Sequence, residues 1–238
     1  MATLKTLSSG SHGNCYILEC GNEQLLIELG IPWKDILKGL NYDLTKVVGC
    51  VVSHQHHDHA MSIKNALKSG LDVFSCADVQ SVYPQVKVAL KRKKQSVGHY
   101  KIQPIPLTHV VECYGYLIEM PDGQKLVFCT DTSGIPYKFK GINHILVESN
   151  NDDDVIIDNL CEDKFSQSRS SDHMELNKTI DFLNQNYSSE LQNIVLIHLS
   201  KGNIDADKAK SRVIDELGFS NVYIAESGLE LELTKEEF

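Results

Sequence analysis

Four of the ten histidines of this 238-residue chain fall inside one run of six residues, His54-Gln55-His56-His57-Asp58-His59. A density this far above composition needs a chemical cause, and imidazole nitrogens with carboxylate oxygens are ligands for a divalent cation. Side chains alternate in an extended segment, so His54 and His56 point to one side and reach a single cation. Asp58 and His59 come after the chain turns toward a helix, where they face a second cation nearby. His57 points away and is left out. The donor set suits Zn²⁺ first, with Mn²⁺, Fe or Co²⁺ as further candidates.

Such a cluster needs rigid elements beneath it. Val47 to Val52, VVGCVV, is a short apolar run ending at Ser53, which fits a buried strand that delivers the histidines at its C-terminal end. The pattern from Ala60 to Ser69 is helical and stops at Gly70. Upstream, TLKTL, NCYILEC and QLLIEL read as a β-meander, the last two joined at Gly21-Asn22. Strands follow around Val86 to Leu90 and Ile102 to Pro106, and Pro121-Asp122-Gly123 joins YGYLIEM to KLVFCT as a second hairpin. Asn143 to Glu148 and Ile194 to Leu199 read as further buried strands. Helices are expected from Glu175 to Tyr187, with Asp172 and Glu175 as a capping box, and from Asp205 to Leu217, stopped by Gly218. Many strands with helices entering late predict an α/β chain in which two sheets pack together and helices cover them outside. The halves are expected at 1–135 and 136–238, within a single domain 1–238, because no linker rich in Pro, Gly or Ser divides them.

Composition narrows the function classes. With 42% apolar and 23% charged residues the chain is an ordinary globular protein, and no 20-residue apolar run marks a membrane span. Nothing in the first nine residues reads as a signal peptide, so a cytoplasmic location is expected. Seven cysteines, Cys15, Cys20, Cys50, Cys76, Cys113, Cys129 and Cys161, form no Cys-x-x-Cys pair and read as reduced core residues. A formal charge of −9 argues against a broad basic face tracking long nucleic acid. The dense basic run Lys91-Arg92-Lys93-Lys94 reads as a solvated turn, with phosphate contact as its functional alternative. His99 and His144 have no motif around them and read as structural.

His-x-His-x-Asp-His after a buried strand resembles the signature of the metallo-β-lactamase-fold hydrolases. That resemblance implies a four-layer αβ/βα sandwich, two mixed sheets face to face with helices outside, and a two-metal site at one edge. It also implies the rest of the ligand set. His109 in Leu107-Thr108-His109 resembles the third histidine of the first metal, Asp131 in Cys129-Thr130-Asp131-Thr132 the bridging aspartate, and His198 in Ile197-His198-Leu199-Ser200 the last histidine of the second. The expected metal set is therefore His54, His56, Asp58, His59, His109, Asp131 and His198. Ser9-Gly10-Ser11-His12-Gly13-Asn14, Glu148-Ser149-Asn150, Arg169 and His173 narrow the resemblance to the WalJ/YycJ branch, whose members are similar to metal-dependent phosphodiesterases linked to 5′-exonuclease activity on DNA. Two segments depart from that branch. Asn151 and Asp152 to Asp154 follow Glu-Ser-Asn where a histidine is usual, and Asp172-His173-Met174-Glu175-Leu176-Asn177 replaces Gly-His-x-Ser-Asn, so the substrate-side shell differs.

The chemistry this implies is phosphodiester hydrolysis with two divalent cations and a bridging hydroxide as nucleophile. Asp58 binds metal and orients that hydroxide, and His173 protonates the leaving oxygen or steadies a phosphate oxygen. Ser11, His12 and Asn14, on a loop freed by Gly10 and Gly13, are the candidate substrate-binding residues. The expected partner is a phosphodiester, a DNA or RNA end or a cyclic nucleotide, with no membrane and with a homodimer as candidate assembly. A cyclic-nucleotide phosphodiesterase is the alternative, and the fold also permits thioester, lactone or β-lactam hydrolysis. A non-enzymatic metal-binding protein would be expected to lack a ligand, and the set has none missing.

Overall fold

The computed structural model describes residues 2–151, 172–200 and 204–233. Cys161, Arg169 and the Asp152 to Asp154 run lie outside the described residues. Two seven-stranded sheets make up the frame. The first contains β1 (Ala2–Ser8), β2 (Cys15–Cys20), β3 (Glu23–Ile27), β4 (Val47–Val51), β5 (Val73–Ser75) and β6 (Lys87–Val88) in that spatial order, with β14 (Glu230–Glu232) beside β1. The second runs β7 (Gln95–Val97), β8 (Tyr100–Leu107), β9 (Cys113–Glu119), β10 (Lys125–Cys129), β11 (His144–Glu148), β12 (Asn193–Ile197) and β13 (Val222–Ile224).

Each sheet is mixed. Hairpins give the antiparallel half, including the expected turns at Gly21, whose φ is 63°, and at residues 121 to 123. From β3 to β6 and from β10 to β13 neighbours pair in parallel. The division of the chain differs from expectation. The first sheet ends at Val88 and the second begins at Gln95, so the boundary is the basic turn and not residue 135, and β14 returns to the first sheet.

Alternation along the strands sorts side chains between two cores. Leu126 and Phe128 of β10 and Val195 and Ile197 of β12 face the first sheet, whereas Val127, Cys129, Ile194 and Leu196 pack on the other side. The Tyr16 and Phe128 rings meet edge to face at 5.9 Å across the two sheets. Tyr116 on β9 donates its hydroxyl to the Val52 carbonyl at 2.8 Å, which ties the second sheet to the chain just before the histidine run.

The helices flank both sheets. α1 (Trp33–Gly39) touches β1, α3 (Ile63–Lys68) touches β5 and α4 (Ala77–Val82) touches β6, while α5 (Leu176–Asn186) packs on α6 (Ala206–Leu217), which touches β13. The expected helix from Ala60 to Ser69 is two pieces, α2 (His57–Ala60) and α3, because Ser62 N leaves the helical ladder to donate to the Leu29 carbonyl at 2.8 Å, with its hydroxyl on the Ile31 carbonyl. The capping box at α5 does not form: Glu175 is the N-cap and makes no side-chain cap. At α6 both signals hold, with Asp205 accepting from Lys208 N and Gly218 left-handed at φ 61°. Six cysteines are buried and free. No helix among the described residues is long and apolar enough to cross a membrane.

His144, at the start of β11, is fully buried between Gln124 Oε1 and Asn193 Nδ2. Burial lowers its pKa to about 4, against an ordinary value of about 6.5. A folded value below the unfolded one means that the unfolded chain takes the proton first. The stability from keeping His144 neutral is therefore full above about pH 6.5 and is lost as the pH falls toward 4. Denaturant titrations at pH 7.5 and pH 5 should show His144→Gln losing about 2 kcal/mol less than the wild type over that interval; equal losses would contradict this role.

Candidate metal centre

Most of the polar side chains of the centre sit where strands end at one edge of the sandwich, and Asp58 and His59 come from α2 just after β4. His54 follows β4, His109 follows β8, Asp131 follows β10, Glu148 closes β11 and His198 follows β12. Carboxyl ends of parallel strands are where α/β sheets leave a crevice. Three residues leave their strands in left-handed conformation: Glu28 after β3 at φ 63°, Asp131 at φ 47° and His198 at φ 52°. Each non-glycine residue in that region costs about 1–3 kcal/mol, so the surrounding bonds must hold it there.

The first group is His54, His56, His109 and Asp131. His54 Nε2 and His109 Nε2 lie 2.9 and 3.3 Å from His56 Nδ1. Asp131 Oδ2 closes the group at 3.7 Å from His54 and 3.8 Å from His109. The second group is Asp58, His59 and His198. Asp58 Oδ2 is 3.3 Å from His59 Nε2 and 3.5 Å from His198 Nε2. Asp131 Oδ1 reaches this group too, 3.3 Å from His59 Nε2 and 3.6 Å from His198 Nδ1. One carboxylate thus turns one oxygen toward each group. His57 is exposed, as is Gln55.

Electrostatics prepare these donors. Burial, reinforced by neighbouring His59, pushes the His54 pKa well down, and burial also lowers that of His109, so both rings are neutral. Burial works against Asp58 and Asp131, but the surrounding histidines outweigh it and hold both carboxyls well below their usual range. Burial likewise opposes His59, yet Asp131 and Glu28 raise its pKa well above normal. Neutral His54 and His109 with ionised Asp58 and Asp131 are in the state a divalent cation requires, and a cation at the second group would displace the proton that the carboxylates hold on His59. The residues present fit a two-cation centre.

Buried partners orient the rings. His54 Nδ1 is 2.8 Å from Ser53 Oγ. Glu28, fully buried, accepts from Ser53 N and lies 3.5 Å from His59 Nδ1. Asn150 Nδ2 is 3.0 Å from His198 Nδ1, and Ser9 Oγ accepts from His198 N at 2.8 Å. Glu148 is the hub: Oε2 accepts from Asp131 N at 2.7 Å and Oε1 from Thr132 N at 3.0 Å and Met174 N at 2.8 Å. His173 Nδ1 lies 3.3 Å from the same Oε2, and its ring stacks on His198 with centroids 5.4 Å apart. Burial alone would lower the His173 pKa, but Glu148, with Asp131 and Asp172, raises it to about 9. Asp131, Glu148, His173 and His198 also place donor atoms within 4.8 Å of one another. Both Glu148 oxygens are already engaged by two donors each, which makes this carboxylate a brace.

Glu28, Ser53, Glu148 and Asn150 were not among the expected site residues. For Glu28 and Ser53 the local signal is a polar residue closing an apolar run, as in QLLIEL and VVGCVVS; Glu148 and Asn150 stood in the Glu148-Ser149-Asn150 motif but were given no role in the site. Asn14 departs from its expected place toward substrate. It is 1% exposed, its Oδ1 accepts from Gly10 N at 2.9 Å, and its Nδ2 donates to Gly10 O at 3.0 Å and lies 3.2 Å from His59 Nε2. Ser11 and His12 are exposed. Arg169 is outside the described residues.

Two substitutions test this bracing. Glu148→Gln sets an amide against buried N–H donors and should lower unfolding free energy by about 2–4 kcal/mol, with reduced divalent-cation uptake, read by denaturant titration and metal analysis after dialysis. Unchanged stability would contradict the hub. Gly30 carries no side chain where the Asp58 carbonyl passes: a Cβ there would meet Asp58 O at 1.6 Å. Gly30→Ala should displace Asp58 and His59 and weaken cation binding about tenfold or more while the far-ultraviolet spectrum persists.

No family model matches the chain. It is 23% identical to exodeoxyribonuclease WalJ of Streptococcus pneumoniae over 232 residues, which covers 89% of this chain and 86% of that protein. The crystal structure of the metallo-β-lactamase fold protein YhfI from Bacillus subtilis superposes with a TM-score of 0.73 at 17% identity, over 98% of this chain and all of that one. A diphosphatase from the PhnP family gives 0.68 at 15% identity, covering 98% of each chain. Two mixed sheets with their polar centre along one edge, superposing end to end on such structures, show that this chain has the metallo-β-lactamase fold.

Proposed function

We propose that the protein is a two-metal-dependent phosphodiester hydrolase, a nuclease that acts on DNA in the manner of a 5′-exonuclease. The observation that carries this reading is Asp131, whose two oxygens face two separate groups of ligand atoms. The similarity to exodeoxyribonuclease WalJ over 89% of the chain supports DNA as substrate. His54, His56 and His109 would hold one cation, Asp58, His59 and His198 the other, and Asp131 both. Zn²⁺ suits the imidazole-rich set first and Mn²⁺ second. Two such cations supply Lewis acidity to a phosphoryl oxygen and lower the pKa of water toward neutrality.

The protein groups supply the rest. Asp58, ionised and braced by His59 and His198, presents an acceptor that orients the attacking water. His173, held at Nδ1 by Glu148, carries its second ring proton at Nε2 and passes it to the leaving oxygen. The exposed Ser11 and His12 meet the substrate's phosphate from the loop above. A cytoplasmic site belongs to the same reading, supported by six buried free thiols.

A smaller substrate is the second reading. The charge of −9 favours it, as does the pairing of Lys91 with Glu112 and of Lys94 with Glu119, which neutralises two cations of the dense basic run. The test is a panel of 5′-phosphorylated single-stranded DNA, RNA, cyclic mononucleotides and carboxylic esters, thioesters and lactones with added Zn²⁺ or Mn²⁺. Turnover of cyclic compounds alone would overturn the exonuclease reading, and turnover of esters alone would overturn both. Asp58→Asn should lose most turnover, about a hundredfold or more, while folding persists; His173→Gln should lower kcat with KM little changed. Retained activity in Asp58→Asn would remove Asp58 from the chemistry.

A further inference from the structure

The ligand rings of the centre are not all held alike. His54, His59 and His198 each have a buried Ser, Glu or Asn against a ring nitrogen, whereas His109 Nδ1 is buried and has no hydrogen-bond partner among the described residues. No hydrogen bond from outside the ligand group orients this ring, so its position rests on the backbone that carries it. That backbone is pinned on both sides. Before His109, Thr108 N donates to Thr132 Oγ1 at 3.2 Å and Thr108 O accepts from Ser133 N at 3.1 Å. Three residues after it stands Glu112, whose Oε2 accepts from Ala77 N at 2.9 Å and whose Oε1 accepts from Lys91 Nζ at 2.8 Å and the Tyr114 hydroxyl at 3.1 Å. The Glu112 N–H donates to Asp78 Oδ2 at 3.2 Å, and its carbonyl accepts from the Cys76 thiol at 3.2 Å.

These partners come from separate parts of the fold: the start of α4, which flanks the first sheet, the basic turn between the sheets, and β9 of the second sheet. The first ligand group is divided in the same way, since His54 and His56 follow β4 of the first sheet and His109 follows β8 of the second. We propose that Glu112 is a positioning residue for the first cation: it anchors the His109 turn to α4 and to the basic turn, and so sets where His109 stands opposite His54 and His56. The proposal rests on the two-cation reading above. A carboxylate with donors on both oxygens can hold several segments at once, and bonds to an ionised group are the stronger kind. The basic turn gains a task as well, because Lys91 holds Glu112 while its ammonium lies 5.7 Å from the centre of the Tyr114 ring. No residue of the His109 turn belongs to the second group, Asp58, His59 and His198. Loss of Glu112 should therefore weaken one cation and spare the other, which a general loosening of the fold would not do.

The test is a Co²⁺ titration of the metal-stripped full chain, followed by visible absorbance. The wild type should show two binding steps; His109→Ala marks the step of the first group and His198→Ala that of the second. Glu112→Ala should weaken the step marked by His109→Ala about tenfold or more and leave the other within about twofold, with the far-ultraviolet spectrum unchanged. Both steps weakened equally, or neither changed, would overturn the positioning role. Should Glu112→Ala fail to fold, Glu112→Gln, which keeps one acceptor oxygen and loses the charge, decides by the same comparison: selective weakening of the His109 step supports the role, and an equal or absent effect overturns it. A wild type with a single step that Glu112→Ala weakens would overturn the two-cation reading and leave Glu112 its role. A single step that the variant does not move would overturn both.

Discussion

The buried Glu148 carboxylate is the interaction on which the centre depends. It receives three backbone N–H donors and faces the His173 ring, and those donors come from two separate segments, the turn after β10 and the approach to α5. A charge in that position is tolerable only because every lone pair has a partner. The same bonds keep Asp131 in its left-handed conformation, and that conformation turns one oxygen toward each group of ligands. Thr130 Oγ1 donates to Asp131 Oδ1 at 2.7 Å and adds to that hold.

Around this hub the fold solves a problem of repulsion. Five imidazoles and two carboxylates within a few ångströms are unfavourable to assemble, and rigid strands must hold them. Pairing from β3 to β6 and from β10 to β13 lines up strand ends at one edge, and the shared core, with Tyr16 against Phe128, fixes the two edges relative to each other. Buried acceptors then select ring orientation: Ser53 beside His54, Glu28 beside His59, Asn150 beside His198.

Much of this was legible in the chain itself. The His54 to His59 run identifies a metal-binding segment by local chemistry, and VVGCVV before it identifies the strand that carries it. Hairpin turns at Gly21 and at Pro121 to Gly123, and the stop of α6 at Gly218, depend on a few neighbouring residues, which is why they read correctly. Errors arose where a distant partner overrode a local pattern. The helical periodicity from Ala60 to Ser69 breaks because Ser62 N bonds to the Leu29 carbonyl, far away in sequence. The sheets divide at the basic turn because β6 pairs with β5 and β7 with β8, a choice of partners that composition does not mark.

The sequence by itself determined the His54 to His59 run and the strand before it, which follow from residue chemistry and short-range periodicity, while His109, Asp131 and His198 were legible as candidate ligands only through resemblance to a known pattern. Tertiary structure alone decided which ligands share a group, that Asp131 faces both, that Asn14 braces His59, and that Glu28 and Glu148 are the buried acceptors. The physical reason is that those contacts join residues far apart in the chain. A carboxylate ending an apolar run looks the same in sequence whether it meets solvent or two strained turns, and only packing of the two sheets chooses between them.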